Sequence, residues 1–285
     1  MPFGFCLNGI ILLPLCKSYN TMKIAIIGTG NMGGAIACGL AASGHCSKGD
    51  IICSNPSMPK LERLKQEYDI ISVTTDNREA AQDADIVVLA VKPWLAENVV
   101  KEIKCAFNSP DKILISVVAE TTFATLRTWI ADAECQPAIF RVIPNTAISV
   151  GESMTFVAAD GATEEQTESI VNMFSLMGEA MLVSEKILEV GMVLASCGIA
   201  FALRYVRAAA EGGVELGVPA QQATRIVAAT LKGAAELLLR NESHPEQEID
   251  KVTTAGGITI KGLNEMEHAG FSSAVIRGLK ASAGK

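Results

Sequence analysis

Lys23-Ile24-Ala25-Ile26-Ile27-Gly28-Thr29-Gly30-Asn31-Met32-Gly33-Gly34 is the stretch that decides the fold of this chain. Four consecutive apolar residues, Ile24 to Ile27, suit a parallel strand buried on both faces. They run into Gly28, Gly30 and Gly33, spaced G-x-G-x-x-G, and a helix over residues 31–43 is expected to follow. In a chain with 24 glycines the spacing alone says little, but between a strand and a helix it reads as a phosphate-binding turn. Gly28 permits the tight turn, Gly30 lets the backbone approach a pyrophosphate, and Gly33 lets the helix lie close on the strand. The helix then presents unpaired N–H groups to the anion. A turn that merely packs a helix on a sheet would also use these glycines.

Working outward, further strands are expected over residues 50–54, 70–74, 84–91, 113–118 and 138–142, with helical segments between them. This alternation implies an α/β fold with a Rossmann-type, doubly wound parallel sheet, whose ligand lies beyond the C-terminal ends of the strands. Gly28, Ser54, Ala90, Val118 and Pro144 should therefore rim one crevice. Strands over 154–159 and 180–183, flanking a helix over 163–177, finish the sheet. From Glu185 onward the pattern is all-α, with helices expected over 185–216, 219–240 and 260–268. The apolar run over 190–203 is shorter than the eighteen residues or so of a membrane span. It reads instead as a helix buried on all sides, in part against a second subunit, which makes the C-terminal region a dimerisation domain. The expected divisions are a leader over 1–21, a dinucleotide-binding domain over 22–184 and a helical domain over 185–285.

A chain of 285 residues, 49% hydrophobic and 19% charged, can bury two cores. Its net charge of −7 argues against a nucleic-acid partner, and no membrane partner is expected. The eight cysteines form no C-x-x-C pair and are read as reduced thiols in a cytoplasmic protein, with Cys38, Cys53 and Cys197 as core residues. The apolar stretch over 10–15 lacks a preceding Lys or Arg, contains Pro14 and has no small-residue cleavage site after it, so it does not read as a signal peptide. Met22, directly before the first strand, is the expected natural start, and residues 1–21 are read as a non-native or disordered tail.

An NAD-preferring site carries an acidic residue at the end of the second strand, where this chain has Ser54 and Asn55. Both donate hydrogen bonds, and Lys60 and Arg63 follow on the next helix, so the pattern leans to NADPH, with NADH as the alternative. Asn77, at the start of another helix, is placed to reach the same ribose. The same Ser54-Asn55-Pro56 would also serve as an ordinary helix-capping turn. On the substrate side, Val252-Thr253-Thr254-Ala255-Gly256-Gly257-Ile258-Thr259-Ile260 puts two glycines between hydroxyl-bearing residues just before a helix. Such a start offers backbone N–H groups to a small carboxylate, or is a capped turn between helices.

Two of these stretches carry a resemblance to pyrroline-5-carboxylate reductase that covers the chain from Met22 to its end. One is Ile27-Gly28-Thr29-Gly30-Asn31-Met32 with Ala90-Val91-Lys92-Pro93; the more specific is Val252 to Thr259 with Gly262-Leu263 and Glu267 to Phe271. The resemblance implies reduction of a cyclic imine to L-proline by NADPH or NADH, in a homodimer or a larger assembly of dimers. It places Ile27, Gly28, Thr29, Gly30, Asn31, Met32, Ser54, Asn77, Ala90, Val91, Lys92, Pro93, Val117, Val118 and Ala119 at the cofactor, to which the glycine spacing adds Gly33 and the end of the second strand adds Asn55. It places Glu185, Gly256, Gly257, Ile258 and Thr259 at the substrate; the Thr259 hydroxyl is read as the catalytic group, bonding the ring nitrogen, with a merely structural helix cap as its rival role. Two departures stand out: Ala255 where the family usually has proline, and Cys197-Gly198-Ile199-Ala200-Phe201 where it commonly has Ser-Gly-Pro-Ala-Tyr.

The three histidines form no acid–base pair in the sequence, and no metal-binding pattern is present. An imine that carries its own proton needs no strong general acid, so holding the reactants face to face suffices. β-Hydroxyacid dehydrogenases open with a similar fingerprint but need a lysine on the first interdomain helix, where residues 191–207 have only Arg204 and Arg207. A dimeric NADP-binding sensor without turnover is the non-enzymatic alternative.

Overall fold

A computed structural model describes residues 22–284; the expectations for residues 1–21 fall outside the described residues. Five strand–helix repeats open the chain: β1 (Ile24–Ile27), α1 (Asn31–Ala42), β2 (Ile51–Ser54), α2 (Met58–Glu67), β3 (Ile71–Thr74), α3 (Asn77–Gln82), β4 (Ile86–Leu89), α4 (Pro93–Ile103), β5 (Ile113–Ser116) and α5 (Phe123–Trp129). They are followed by β6 (Ala138–Ile143), β7 (Ser153–Asp160), α6 (Glu164–Ser175) and β8 (Gly178–Leu182). The sheet order is β3-β2-β1-β4-β5-β6-β7-β8, so the chain reverses its winding between β1 and β4. In such a sheet the crevice for a ligand opens at that switch point.

Strands β1, β4, β5 and β6 each feed two cores, because successive side chains point to opposite faces. Ile24, Ile26, Ile86 and Val88 pack with α1, α2 and α6 on one side. Ala25, Ile27, Val87 and Leu89 pack with α3, α4 and α5 on the other. Cys53 is buried in the first layer, and that burial pushes its thiol up to about 12, which makes it an inert core residue as expected. Ile27 is level with Ser54 and Leu89, Leu89 with Ser116, and Ser116 with Arg141, so the loops leaving these strands share one edge.

The expected parallel sheet fails at one pairing: β7 runs antiparallel to β6. The connection between them holds only a short 3-10 turn, Thr146–Val150, closed by Gly151 at φ +74. A parallel crossover needs about a dozen residues and usually a full helix, so this chain doubles back instead. β7, α6 and β8 then form a parallel unit of their own.

The described chain divides into two compact units between Met192 and Val193. The first includes α7 (Glu185–Gly191), which packs on the sheet: a Cβ at Gly191 would lie 2.7 Å from the ring of Phe156. The second unit contains α8 (Gly198–Glu215), α9 (Ala220–Asn241), α10 (Pro245–Val252), α11 (Ile258–His268) and α12 (Phe271–Ser282). α10 is capped by His244, whose Nδ1 accepts the Glu246 N–H at 3.2 Å.

α7 continues through a π-helical turn, Met192–Cys197, into α8. The resulting helix, Glu185–Glu215, is long and apolar enough to cross a membrane by length and composition, which the shorter run read from the sequence did not suggest. Nor is it buried on all sides. Leu194 and Leu203 are 57% and 63% exposed in the single chain.

Candidate active site

The glycines of the first turn have three different reasons to be there. Gly28 has φ +95, and a Cβ on it would stand 2.7 Å from Val91 Cγ1 and 2.8 Å from the Ala90 carbonyl oxygen. Only glycine satisfies both constraints. A Cβ on Gly33 would fall 2.3 Å from the Gly28 carbonyl oxygen, so α1 rests directly on the turn. Gly30 is different: nothing lies within 4 Å of a Cβ built there, so the space above it is open.

β2 holds this turn in place, since the Ser54 carbonyl accepts the Gly28 and Thr29 N–H groups at 2.9 and 3.2 Å. β4 closes the other side through Ala90 N–H to the Ile27 carbonyl at 2.8 Å. Gly30 is the N-cap of α1, no side chain caps that end, and its first turn has no acidic residue. Its N–H groups, its positive dipole end and the open space over Gly30 fit the pyrophosphate of a dinucleotide. Asn31 and Met32 begin the helix, and Lys92 and Pro93 open α4 beside it with exposed side chains. Val117 and Val118 leave β5 on the same edge, Val117 N–H donating to the Leu89 carbonyl at 3.0 Å; Val118 is buried and Ala119 exposed.

Ser54 ends β2 directly beside the glycine turn. Its side chain is fully buried, and its hydroxyl donates to Asn77 Oδ1. Asn77 in turn donates through Nδ2 to Glu102 Oε2 at 3.0 Å. Glu102 on α4 was not singled out in the sequence, because helical spacing there shows an ordinary solvated face. Asn55, the next residue, is half-buried and uses Oδ1 to accept the Ser57 N–H at 2.9 Å, which leaves its amide N–H groups as donors at the strand end. Asn55→Asp keeps that turn but turns a donor into a charge. It should lower the NADPH over NADH preference, read as a ratio of kcat/KM, by about tenfold, one charge-assisted hydrogen bond being roughly 1.5–3 kcal/mol. An unchanged ratio would take Asn55 out of the ribose site.

Glu185, the first residue of α7, belongs to the sheet unit. Its Oε1 accepts from Arg141 Nη1 at 2.7 Å and from the Phe123 N–H, the first of α5, at 2.8 Å. Arg141 was missed in the sequence, although a charged residue inside Ala-Ile-Phe-Arg-Val-Ile, an apolar strand, is itself a signal.

In the helical unit, Gly256 takes φ +71 and Gly257 is the N-cap of α11. A Cβ on Gly257 would meet Thr254 Oγ1 at 2.5 Å, so the loop is tight there. Ile258 and Thr259 are the first two residues of the helix rather than loop residues, because Gly257 already caps it. Ile258 is 88% exposed and Thr259 is exposed as well. No side chain caps this helix start, and its first turn holds no acidic residue. Unpaired N–H groups at a helix start of this kind suit a small anion.

Residues 185–285 match the family model for pyrroline-5-carboxylate reductase dimerisation, and residues 23–120 match a model described as NADP oxidoreductase, coenzyme F420-dependent. A pyrroline-5-carboxylate reductase 2 of Dictyostelium discoideum is 42% identical over 282 residues, covering 93% of this chain and 92% of that protein. The chain belongs to the pyrroline-5-carboxylate reductase family. The solved pyrroline-5-carboxylate reductase of Coxiella burnetii is similar to it with a TM-score of 0.84 and 30% identity, over 93% of this chain and 97% of that one. A pyrroline carboxylate reductase of Plasmodium falciparum, solved with NADP bound, gives a TM-score of 0.83 at 25% identity, over 93% and 96%.

Proposed function

We propose that this chain reduces Δ1-pyrroline-5-carboxylate to L-proline with NADPH, NADH being the alternative donor. The observation that carries the reading is the pair of uncapped helix starts in a chain of this family. α1 has open space over Gly30 at the sheet edge, and α11 begins directly after Gly256 and Gly257. The reduced nicotinamide supplies the hydride when bound on the first. The N–H groups that open α11 hold the substrate carboxylate, and the Thr259 hydroxyl bonds the ring nitrogen.

None of the histidines serves this chemistry. His45 bonds the Ser43 carbonyl at 2.9 Å, His244 caps α10, and His268 lies 3.6 Å from Glu265 at the end of α11. Catalysis then rests on orientation and on fixed backbone dipoles, with the proton already on the imine.

A homodimer, or an assembly built from dimers, completes the reading, in the cytoplasm and without a nucleic-acid or membrane partner. The apolar face left by Glu185–Glu215, together with a groove of about 460 Å³ lined by Leu203, Val206, Ala210, Val214 and Ala220 and by the polar Arg207, Glu211 and Thr224, is then covered by a second copy rather than by lipid. The dimerisation match over the same residues supports this, and a stable active monomer in light scattering would refute it.

The deciding experiment is NADPH oxidation on adding pyrroline-5-carboxylate. Turnover with one proline formed per NADPH is expected. Tight NADPH binding without turnover would leave the sensor reading in place.

A further inference from the structure

Among the described residues Arg141 is the one charged residue that is buried, at 3% exposure. Taking a guanidinium out of water costs several kcal/mol unless it is paired, and a well-packed apolar side chain in its place is often no worse for stability. Stability alone therefore gives little reason for a charge at this position. Its setting gives a better one: Arg141 is level with Ser116 at the sheet edge where the cofactor loops emerge.

The guanidinium has one recorded partner, Glu185 Oε1 at 2.7 Å, and that same oxygen takes the Phe123 N–H at 2.8 Å. Both bonds thus fall on one oxygen. Oε2 takes no bond from the described residues, and the Glu185 side chain is 36% exposed. Glu185 is therefore held by Oε1, and its side chain keeps some exposure. The loop carrying Val117, Val118 and Ala119 runs into the same anchor, since it passes through Glu120 at φ +61 and ends at Phe123. A non-glycine residue in the left-handed region persists only where its surroundings hold it.

We propose that Arg141 is a positioning residue for the reduction: it fixes Glu185 so that Oε1 locks the start of α5 while Oε2 sets a negative charge near the cationic imine, whose single N–H is left to the Thr259 hydroxyl. A carboxylate oxygen beside that nitrogen favours the protonated, electrophilic form that accepts hydride at carbon. The assignment rests on the reading of the chain as a pyrroline-5-carboxylate reductase. Arg141 touches neither substrate nor cofactor; its effect passes through Glu185.

The test is a double-mutant cycle of Arg141→Lys and Glu185→Gln, with kcat and KM for pyrroline-5-carboxylate, NADPH affinity and thermal stability measured for all four proteins. Lysine keeps the buried charge but cannot hold the same planar geometry. Each single substitution should lower kcat/KM about ten- to a hundredfold, mainly through KM, with NADPH affinity within about twofold of wild type. The double variant should be no worse than the weaker single within about twofold, because both changes remove the same presentation of Oε2. Should Arg141→Lys prove too unstable to assay, Arg141→Gln in both backgrounds provides the same cycle.

Additive losses, an unchanged KM in the Arg141 variant, or parallel loss of NADPH affinity and stability would overturn the role while leaving the reductase reading intact. A wild type without turnover would remove both together.

Discussion

Gly30→Ala should leave the unliganded protein within about 1 kcal/mol of wild-type stability and yet lower its NADPH affinity about a hundredfold. The first half follows from the free protein: Gly30 has φ −78, which alanine adopts readily, and its Cβ would meet nothing within 4 Å. At an N-cap, glycine and alanine differ by only about 1 kcal/mol or less. The second half follows from what that open space is for. If backbone and pyrophosphate must come into contact there, a methyl group pushes them apart, and losing the N–H contacts to the anion is worth about 2.7 kcal/mol, or a hundredfold. Gly33→Ala is the comparison, since its Cβ would lie 2.3 Å from the Gly28 carbonyl oxygen. It should cost about 1–3 kcal/mol of stability as well as affinity, as overpacking does. A glycine turn that only packs a helix on a sheet gives the opposite result at Gly30, with neither stability nor NADPH affinity changed. Calorimetric titration with NADPH and thermal melts of both variants separate the two.

Thr259→Ala should lower kcat/KM for pyrroline-5-carboxylate about ten- to more than a hundredfold, the value of one hydrogen bond to a charged group, roughly 1.5–3 kcal/mol. NADPH affinity should stay near wild type, because Thr259 lies in the helical unit and the glycine turn in the other. The competing role, a helix cap, is weakened by the geometry: Gly257 is the N-cap of α11, and no side chain bonds that end. Thr259→Ser should therefore recover most of the loss, and melting temperatures should hardly move. Unchanged steady-state kinetics in the alanine variant would leave Thr259 without a part in the reaction.

These expectations draw unevenly on the sequence. The glycine turn and the strands β1, β4 and β5 were readable, because an apolar run ending in G-x-G-x-x-G has few other physical uses. The direction of β7 was not: its strand pattern is the same either way, and only the short connection over residues 144–152 decides it. Ser54 was readable as the end of the second strand, but residue type does not reveal that its hydroxyl donates to Asn77, 23 residues away. The start of α11 moved from 260 to Ile258, since a glycine N-cap carries no side-chain signal. Arg141 was visible as a charge within an apolar strand, but its partner Glu185 lies 44 residues away, beyond any local pattern. The exposed face of the long helix could be anticipated only as an excess of apolar residues.

Direct transfer of hydrogen from cofactor to ring carbon is the claim on which the rest depends. The measurement is turnover of pyrroline-5-carboxylate with NADPH deuterated at the transferring position, followed by mass and NMR analysis of the product. The account predicts L-proline carrying one deuterium on the ring carbon that was double-bonded to nitrogen. Unlabelled proline, or consumption of labelled NADPH without proline, would contradict it.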